Sequence, residues 1–467
     1  MNINTEELNE IVKEVLQEFN EQDYSSSQKE SDKELGIYDS MEEAITAARR
    51  AQKEYQANFS LQERETLIAA MRKEMGQHLE ELAQKACEES EMGRVADKII
   101  KNRMAVEKTP GTEDLKTEAY SGRDGLTVIE QAPFGVICSI APVTNPTETI
   151  ICNAIGMLAA GNAVVFNPHP RAKNVSKLTI KLLNKAIVAA GGPSYLLTAV
   201  KEPTIQTVES CMKDERIIMV VATGGPGVVK AALSSGKKAI GAGAGNPPVI
   251  VDRTADLKKA AVDIIKGASF DNNLPCTSEK VIMAVKEIAD DLLKYMTEDK
   301  AQLVKDPAAL EKIVLNEDGS INKDMVGKDA SYIMEQAGLK AKGNLRLIVV
   351  DVDFNHPFVQ KEQLMPVIPL VRVEDFNTAV KLAVEVEHGN RHTAAIHSKN
   401  VDNLTCFAKK IETTIYVKNA PSYAGIGVGG EGHATFTIAG PTGEGLTSAR
   451  TFTRRRRCVL VDGFSII

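Results

Sequence analysis

Leu8, Ile11, Val12, Val15, Leu16 and Phe19 recur at the i, i+3, i+4, i+7 spacing of one helix face. Glu6, Glu7, Glu10, Lys13, Glu14 and Glu18 hold the opposite face, and Asn4 with Glu7 supplies an N-cap and a capping box. Residues 1–19 are read as an amphipathic helix. Over residues 20–34 apolar side chains nearly vanish, which predicts a flexible linker across 20–35. A short helix on a tether cannot bury its stripe alone. It either folds back on its own domain or docks on something else.

The pattern changes near Gly36. Ser40 with Glu43 predicts the N-cap of a helix running to about Gln56, and further helices precede Gly111. From Val128 short apolar runs alternate with helical segments. The strand-like runs are 136–140, 163–166, 196–200 and 217–221, and helical segments cover 147–160 and 176–190. That alternation predicts a mainly parallel, doubly wound α/β sheet. A second α/β series extends from about Val249 to Val417.

Composition narrows the class. A chain of 467 residues, 43% of them hydrophobic, holds two or three domains of about 100–200 residues each. No apolar run approaches the roughly 18 residues of a membrane span, and the acidic N-terminus is no secretory signal. A net charge of −7 argues against general nucleic-acid binding. The basic run Arg454, Arg455, Arg456 and Arg457 reads as an edge strand whose alternate arginines face solvent or a partner subunit. Contact with ligand phosphates is the sharper alternative. Seven scattered cysteines, odd in number and without C-x-x-C spacing, fit a reducing compartment with no structural disulfide or zinc. His388, His392 and His397 come closest to a metal cluster and are read as structural, so no metal is expected.

Candidate chemistry centres on Cys276. It lies between a predicted helix and an apolar strand, with Asp271, Asn272 and Asn273 just before it. A thiol on such a turn is open to substrate, and a local positive field would lower its pKa from roughly 8.5. Asn145 ends the run that follows the first strand, where an amide could meet a developing oxyanion; Asn-Pro alone is mostly turn chemistry. Thr223, Gly224 and Gly225 sit in a glycine-rich strand-to-helix turn of the kind that accepts phosphate. Residues 241–245 (GAGAG) suggest close approach of a ligand or a hinge, and carry no carboxylate or imidazole.

These segments resemble the aldehyde dehydrogenase superfamily, specifically its CoA-acylating branch from bacterial microcompartments. The likeness rests on PVTNPTETI (142–150), NPHP (167–170), ATGGPGVVK (222–230), GAGAGNPPVIV (241–251), GASFDNNLPC (267–276), EQLMP (362–366) and PTGEGLTSARTFTRRRRC (441–458). It implies Cys276 as nucleophile and Asn145, with the Cys276 N–H, as oxyanion hole. It implies Glu362 on the nicotinamide ribose, and Thr223, Gly224 and Gly225 over the cofactor phosphates. Asn167, Pro168 and His169 would cradle the adenosine ribose, with Thr144, Gly241 and Gly243 also lining the cofactor site. Hydrolytic relatives usually hold a glutamate where this chain has Gly241. Without that base water is a poor acceptor, and the thiol of CoA takes the acyl group instead.

The implied architecture is an aldehyde dehydrogenase-like α/β fold. Residues 36–114 and 132–248 form a Rossmann-type NAD domain. Residues 249–440 form an α/β catalytic domain, and 115–131 with 441–467 form a small β oligomerisation element. The implied activity is oxidation of propanal or acetaldehyde with NAD and CoA to an acyl-CoA. The resemblance further implies a cytoplasmic homo-oligomer, dimer or tetramer, inside a microcompartment. Residues 1–19 would dock on a shell or co-cargo protein, with no nucleic-acid or membrane partner. The rivals are a hydrolytic aldehyde dehydrogenase, a phosphate-releasing reductase of the same fold, and a non-catalytic cargo adaptor.

Overall fold

The structure is a computed structural model and describes residues 35–466. The helix expected over 1–19, and the expected linker except its last residue, lie outside them.

Two parallel sheets organise the subunit. The first has six strands in the spatial order Ile37–Tyr38, Leu197–Val200, Ala163–Asn167, Val136–Ile140, Ile217–Thr223, Lys238–Ala242. Val136–Ile140 is buried at every position, as a strand covered on both faces must be. From this strand the chain first builds to one side. It then returns to place Ile217–Thr223 on the other side. The reversal leaves a crevice at the carboxyl ends of these two strands, where doubly wound sheets take ligands. Ser40 caps the helix Met41–Asn58, accepting from Glu43 N at 3.2 Å.

The second sheet has seven parallel strands: Ala301–Val304, Leu347–Asp351, Val367–Val373, Val281–Val285, Pro248–Val251, Thr393–His397, Ile415–Lys418. Residues 243–247 leave the carboxyl edge of the first sheet and enter the amino edge of the second. This crossing places the site.

A three-stranded antiparallel ribbon stands apart, in the order Thr453–Val461, Gly125–Pro133, Glu118–Gly122. The basic run lies on an edge strand, as expected. Arg454, Arg455, Arg456 and Arg457 are all exposed, because neither face of the ribbon is covered within the subunit. Arg455 pairs with Glu118 at 2.7 Å. All seven cysteines are free. Cys138, Cys152 and Cys211 are buried fillers, whereas Cys458 lies exposed on the ribbon.

Candidate active site

Four neighbouring strands of the second sheet are each preceded by a candidate residue. Glu362 precedes Val367–Val373, Cys276 precedes Val281–Val285, Gly245 precedes Pro248–Val251, and His392 precedes Thr393–His397. The sheet therefore gathers them at one edge, although they span over a hundred positions of sequence. Contacts confirm the grouping. Gly245 N donates to Glu362 Oε1 at 3.3 Å. A Cβ on Gly245 would stand 2.8 Å from the Cys276 carbonyl oxygen and 3.0 Å from His392 Cγ, so only glycine fits between the two loops.

The loop that carries Cys276 has an unusual backbone. Asp271, Asn272 and Asn273 all adopt positive φ, at 47°, 54° and 66°. Asp and Asn tolerate this region better than most residues. Their side chains then lock the loop. Asn273 Nδ2 donates to Ala268 O at 2.7 Å and Glu279 O at 2.9 Å. Asn272 Nδ2 donates to Gly327 O at 2.9 Å, and Gly327 N donates to Leu364 O at 2.9 Å, which ties the loop to the Glu362 turn. Lys280 Nζ donates to Asn273 O at 2.7 Å.

Cys276 keeps partial solvent exposure, but the protein packed around it pushes the thiol up to about 12, and the Glu362 carboxylate adds to the rise. Lys280, the local backbone N–H and Lys101 pull the other way and lose. This corrects the expected depression: the loss of water outweighs the positive groups. Burial also raises Glu362, with Lys280 opposing, and lowers Lys280 to about 8. Glu279, three residues beyond Cys276, is raised to about 7 by burial. Its oxygens accept from Ser422 N at 2.8 Å and Ser422 Oγ at 2.6 Å, so it serves the packing beneath the loop.

Asn145 comes from the first sheet. It is the N-cap of the helix Pro146–Ala159, opened by Pro146 and buried throughout. Asparagine at this position usually caps with its side chain, but here it does not. Its Oδ1 instead accepts from Lys101 Nζ at 2.7 Å, and Nδ2 donates to Thr144 Oγ1 at 3.2 Å. Lys101 also meets Asp271 Oδ2 at 2.6 Å and Glu148 Oε1 at 2.9 Å, and Lys98 meets Asp271 at 2.9 Å. All four charged side chains are fully buried. Burial alone would raise Asp271, but Lys101 and Lys98 hold it below the usual carboxylate range. Removing one member of such a cluster leaves a buried charge unpaired, at a cost of about 3–5 kcal/mol.

The expected cofactor residues divide. A Cβ on Gly225, Gly227 or Gly243 would meet nothing within 4 Å among the described residues, so the turn before the helix Pro226–Leu233 is open. Gly224 lies in the same turn at φ 158°. Thr223 is buried and its Oγ1 contacts Thr437 Oγ1 at 2.8 Å, so its hydroxyl braces the turn. Asn167 is buried, with Nδ2 directed to Cys138 Sγ at 3.4 Å. Pro168 is buried beside it, while His169 is half-buried and accepts from Arg171 N at 3.1 Å. Burial, Arg171 and Lys323 depress the His169 imidazole. Lys323 and Glu362 line one cleft of about 730 Å³. A Cβ on Gly241 would stand 2.7 Å from Val229 Cγ1, so this position is closed to a side chain.

Lys98, Lys101 and Glu148 carry no role in the expectations above, Asp271 enters them only as a neighbour of Cys276, and His392 is read there as structural. Burial lowers His392 to about 4; its Nδ1 contacts Thr393 Oγ1 at 2.8 Å, and its Nε2 makes no hydrogen bond among the described residues. Among those residues no cluster could hold a metal, and no helix is long and apolar enough to cross a membrane.

Comparison with known proteins agrees with this geometry. The model of the "Aldehyde dehydrogenase family" matches residues 31–446. The propanal dehydrogenase (CoA-propanoylating) of Salmonella typhimurium is 50% identical over 92% of this chain and 93% of its own. The acetylating acetaldehyde dehydrogenase EutE of the same organism is 47% identical over 100% of both chains. A solved propionaldehyde dehydrogenase from the fucose utilisation microcompartment of Clostridium phytofermentans superposes with a TM-score of 0.91 at 51% identity, covering 92% of this chain and 100% of that one. The chain belongs to the aldehyde dehydrogenase family.

Proposed function

We propose that this chain is a CoA-acylating aldehyde dehydrogenase that oxidises propanal or acetaldehyde to the acyl-CoA, with Cys276 carrying the acyl group. One observation carries the choice of acceptor. The 241–245 run lies against the Cys276 loop, holds no base, and is closed by Val229 at Gly241. A general base there would contribute about 10²–10⁴-fold to hydrolysis. Its lack favours a thiol acceptor over water and disfavours the hydrolytic rival. The CoA-propanoylating and acetylating relatives support the same reading.

In this reading the Cys276 thiol gives up its proton to solvent and attacks the aldehyde carbon as thiolate, and Asn145 Nδ2 with the Cys276 N–H holds the resulting oxyanion. NAD, when bound, supplies the acceptor for the hydride that leaves that carbon. The CoA thiolate then attacks the thioester and Cys276 departs as thiolate. The open turn at Gly224 and Gly225 would take the cofactor phosphates, and Glu362 at its cleft would take the nicotinamide ribose. His169 stands near the positive groups Arg171 and Lys323, an electrostatic setting suited to a phosphorylated cofactor.

The ribbon supports a homo-oligomer. Tyr120, Val459 and Val461 are 58%, 56% and 64% exposed there, on strands with no cover of their own. We place the enzyme inside a cytoplasmic bacterial microcompartment, with residues 1–19 docking on a shell or co-cargo protein. The apolar stripe of that segment and the microcompartment relative support this. Parallel assay of NADH, free acid and acyl-CoA, with and without CoA, tests the activity. Equal acid and acyl-CoA rates would overturn it. Deleting residues 1–20 should spare activity and abolish co-purification with shells; normal encapsulation would overturn the targeting role.

A further inference from the structure

We propose that Lys101 is a positioning residue for acyl chemistry: it fixes which end of the Asn145 amide faces the reacting carbonyl, and it joins that amide to the nucleophile loop through Asp271. The inference rests on the reading of Asn145 as oxyanion donor.

An ammonium group donates and cannot accept. The Asn145 atom lying 2.7 Å from Lys101 Nζ is therefore the oxygen, and the NH₂ end is turned away from the lysine. Nothing else in the immediate backbone sets this orientation, since Asn145 does not cap its own helix with its side chain. Nδ2 has two hydrogens. One is directed to Thr144 Oγ1, which leaves the other for an oxyanion. A hydrogen bond from a charged donor to the amide oxygen also polarises the amide and strengthens its N–H as a donor.

The same ammonium reaches the second loop. Asp271 opens the left-handed run that leads to Cys276, and its Oδ2 lies 2.6 Å from Lys101 Nζ. Lys98 and Lys101 both approach Thr144 O at 3.4 Å. One helix, Val95–Lys108, thus holds both the loop that brings Asn145 and the loop that brings the thiol. Burial would lower Lys101, but Asp271 and Glu148 outweigh it and keep the lysine charged.

The test is a single-turnover NADH burst at saturating NAD. Asn145→Ala should slow the burst by about 10²–10³. Lys101→Met should slow it about tenfold, the worth of one polarising hydrogen bond, with the KM for NAD unchanged. Lys101→Met combined with Asn145→Ala should be no slower than Asn145→Ala alone, because the lysine acts through the amide. Lys101→Met leaves two buried carboxylates facing one lysine, which costs stability. The charge-balanced pair Lys101→Met/Glu148→Gln removes that problem, and it should show the same loss with NAD binding intact. Its Cys276 alkylation should slow less than the burst does, since Lys101 only modestly favours the thiolate and alkylation builds no oxyanion. Multiplying losses in the combination with Asn145→Ala, or a normal burst in the charge-balanced pair, would overturn the role of Lys101 alone. A normal burst in Asn145→Ala would instead remove the oxyanion reading beneath it.

Discussion

Gly245 N donates to Glu362 Oε1 at 3.3 Å, so the glycine run and the proposed ribose-binding carboxylate form one unit beside Cys276. The same carboxylate raises the Cys276 thiol. Its proposed role toward the cofactor and its effect on the thiol are therefore linked and separable by measurement.

Glu362→Gln keeps an acceptor for Gly245 and removes the charge. Hydride transfer should slow and the KM for NAD should rise, because the ribose loses its charged partner. Alkylation of Cys276 by iodoacetamide in the absence of NAD should instead become faster, since a source of thiolate repulsion is gone. An unchanged alkylation rate with slower hydride transfer would separate Glu362 from the thiol.

The resting thiol is raised to about 12 by burial. Its alkylation rate should then climb by about tenfold per unit from pH 7 to 10, without levelling near the ordinary cysteine value of about 8.5. A plateau at or below that value would mean that the positive groups prevail over desolvation. The profile is best taken by mass mapping of the Cys276 peptide, because Cys458 is exposed and reacts independently.

The strands were legible because they are buried on both faces and so read as mainly apolar runs; the run 136–140, interrupted only by Ser139, matches the strand Val136–Ile140. Cys276 and Asn145 were legible as candidates from local sequence, and Glu362 only through the family resemblance. The charged cluster was not. Lys98 and Lys101 lie on a helix whose Ile100 is 38% exposed, the reverse of ordinary amphipathic order, so periodicity gives no sign of buried charge. Asp271 meets them only through the fold, and an Asp-Asn-Asn run reads locally as a turn. His392 was passed over for a similar reason: its nearness to Cys276 is set by strand order in the second sheet. The thiol shift was misjudged because the sequence displays charges but not the water lost on burial.

His397 tests the acid side of stability. It is 2% exposed, and burial, with Lys259, lowers it to about 4. Between pH 4 and 6.5 the unfolded chain binds more protons at this site than the folded one. Stability from this group is therefore present above about 6.5 and is lost as pH falls, by about 2 kcal/mol between 6.5 and 5. Glu279, raised to about 7, has the opposite sign and adds stability as pH falls from about 7 toward 4.5. The comparison is thus between proteins. His397→Leu should lose less unfolding free energy than the parent protein from pH 6.5 to 5, and parallel pH profiles would show that His397 titrates normally.

Gly241 offers the strongest test of the acyl-acceptor reading. Hydrolytic relatives usually place a glutamate at the matching position. Here a Cβ would lie 2.7 Å from Val229 Cγ1 and 3.8 Å from the Leu233 methyls. Val229 is therefore the obstacle, and Leu233 is at ordinary contact distance. Gly241→Glu alone should fold less stably and gain little hydrolysis, since its carboxylate cannot settle over the acyl-enzyme. Val229→Ala removes the obstructing methyl. Gly241→Glu/Val229→Ala should then release free acid without CoA faster than the parent protein, by as much as about 10²–10⁴-fold if the carboxylate reaches a water beside the thioester. The CoA-dependent rate should fall at the same time, because water drains the shared intermediate. Acid release that stays at the parental level in a folded double variant would show that the missing base is not what keeps water from the thioester.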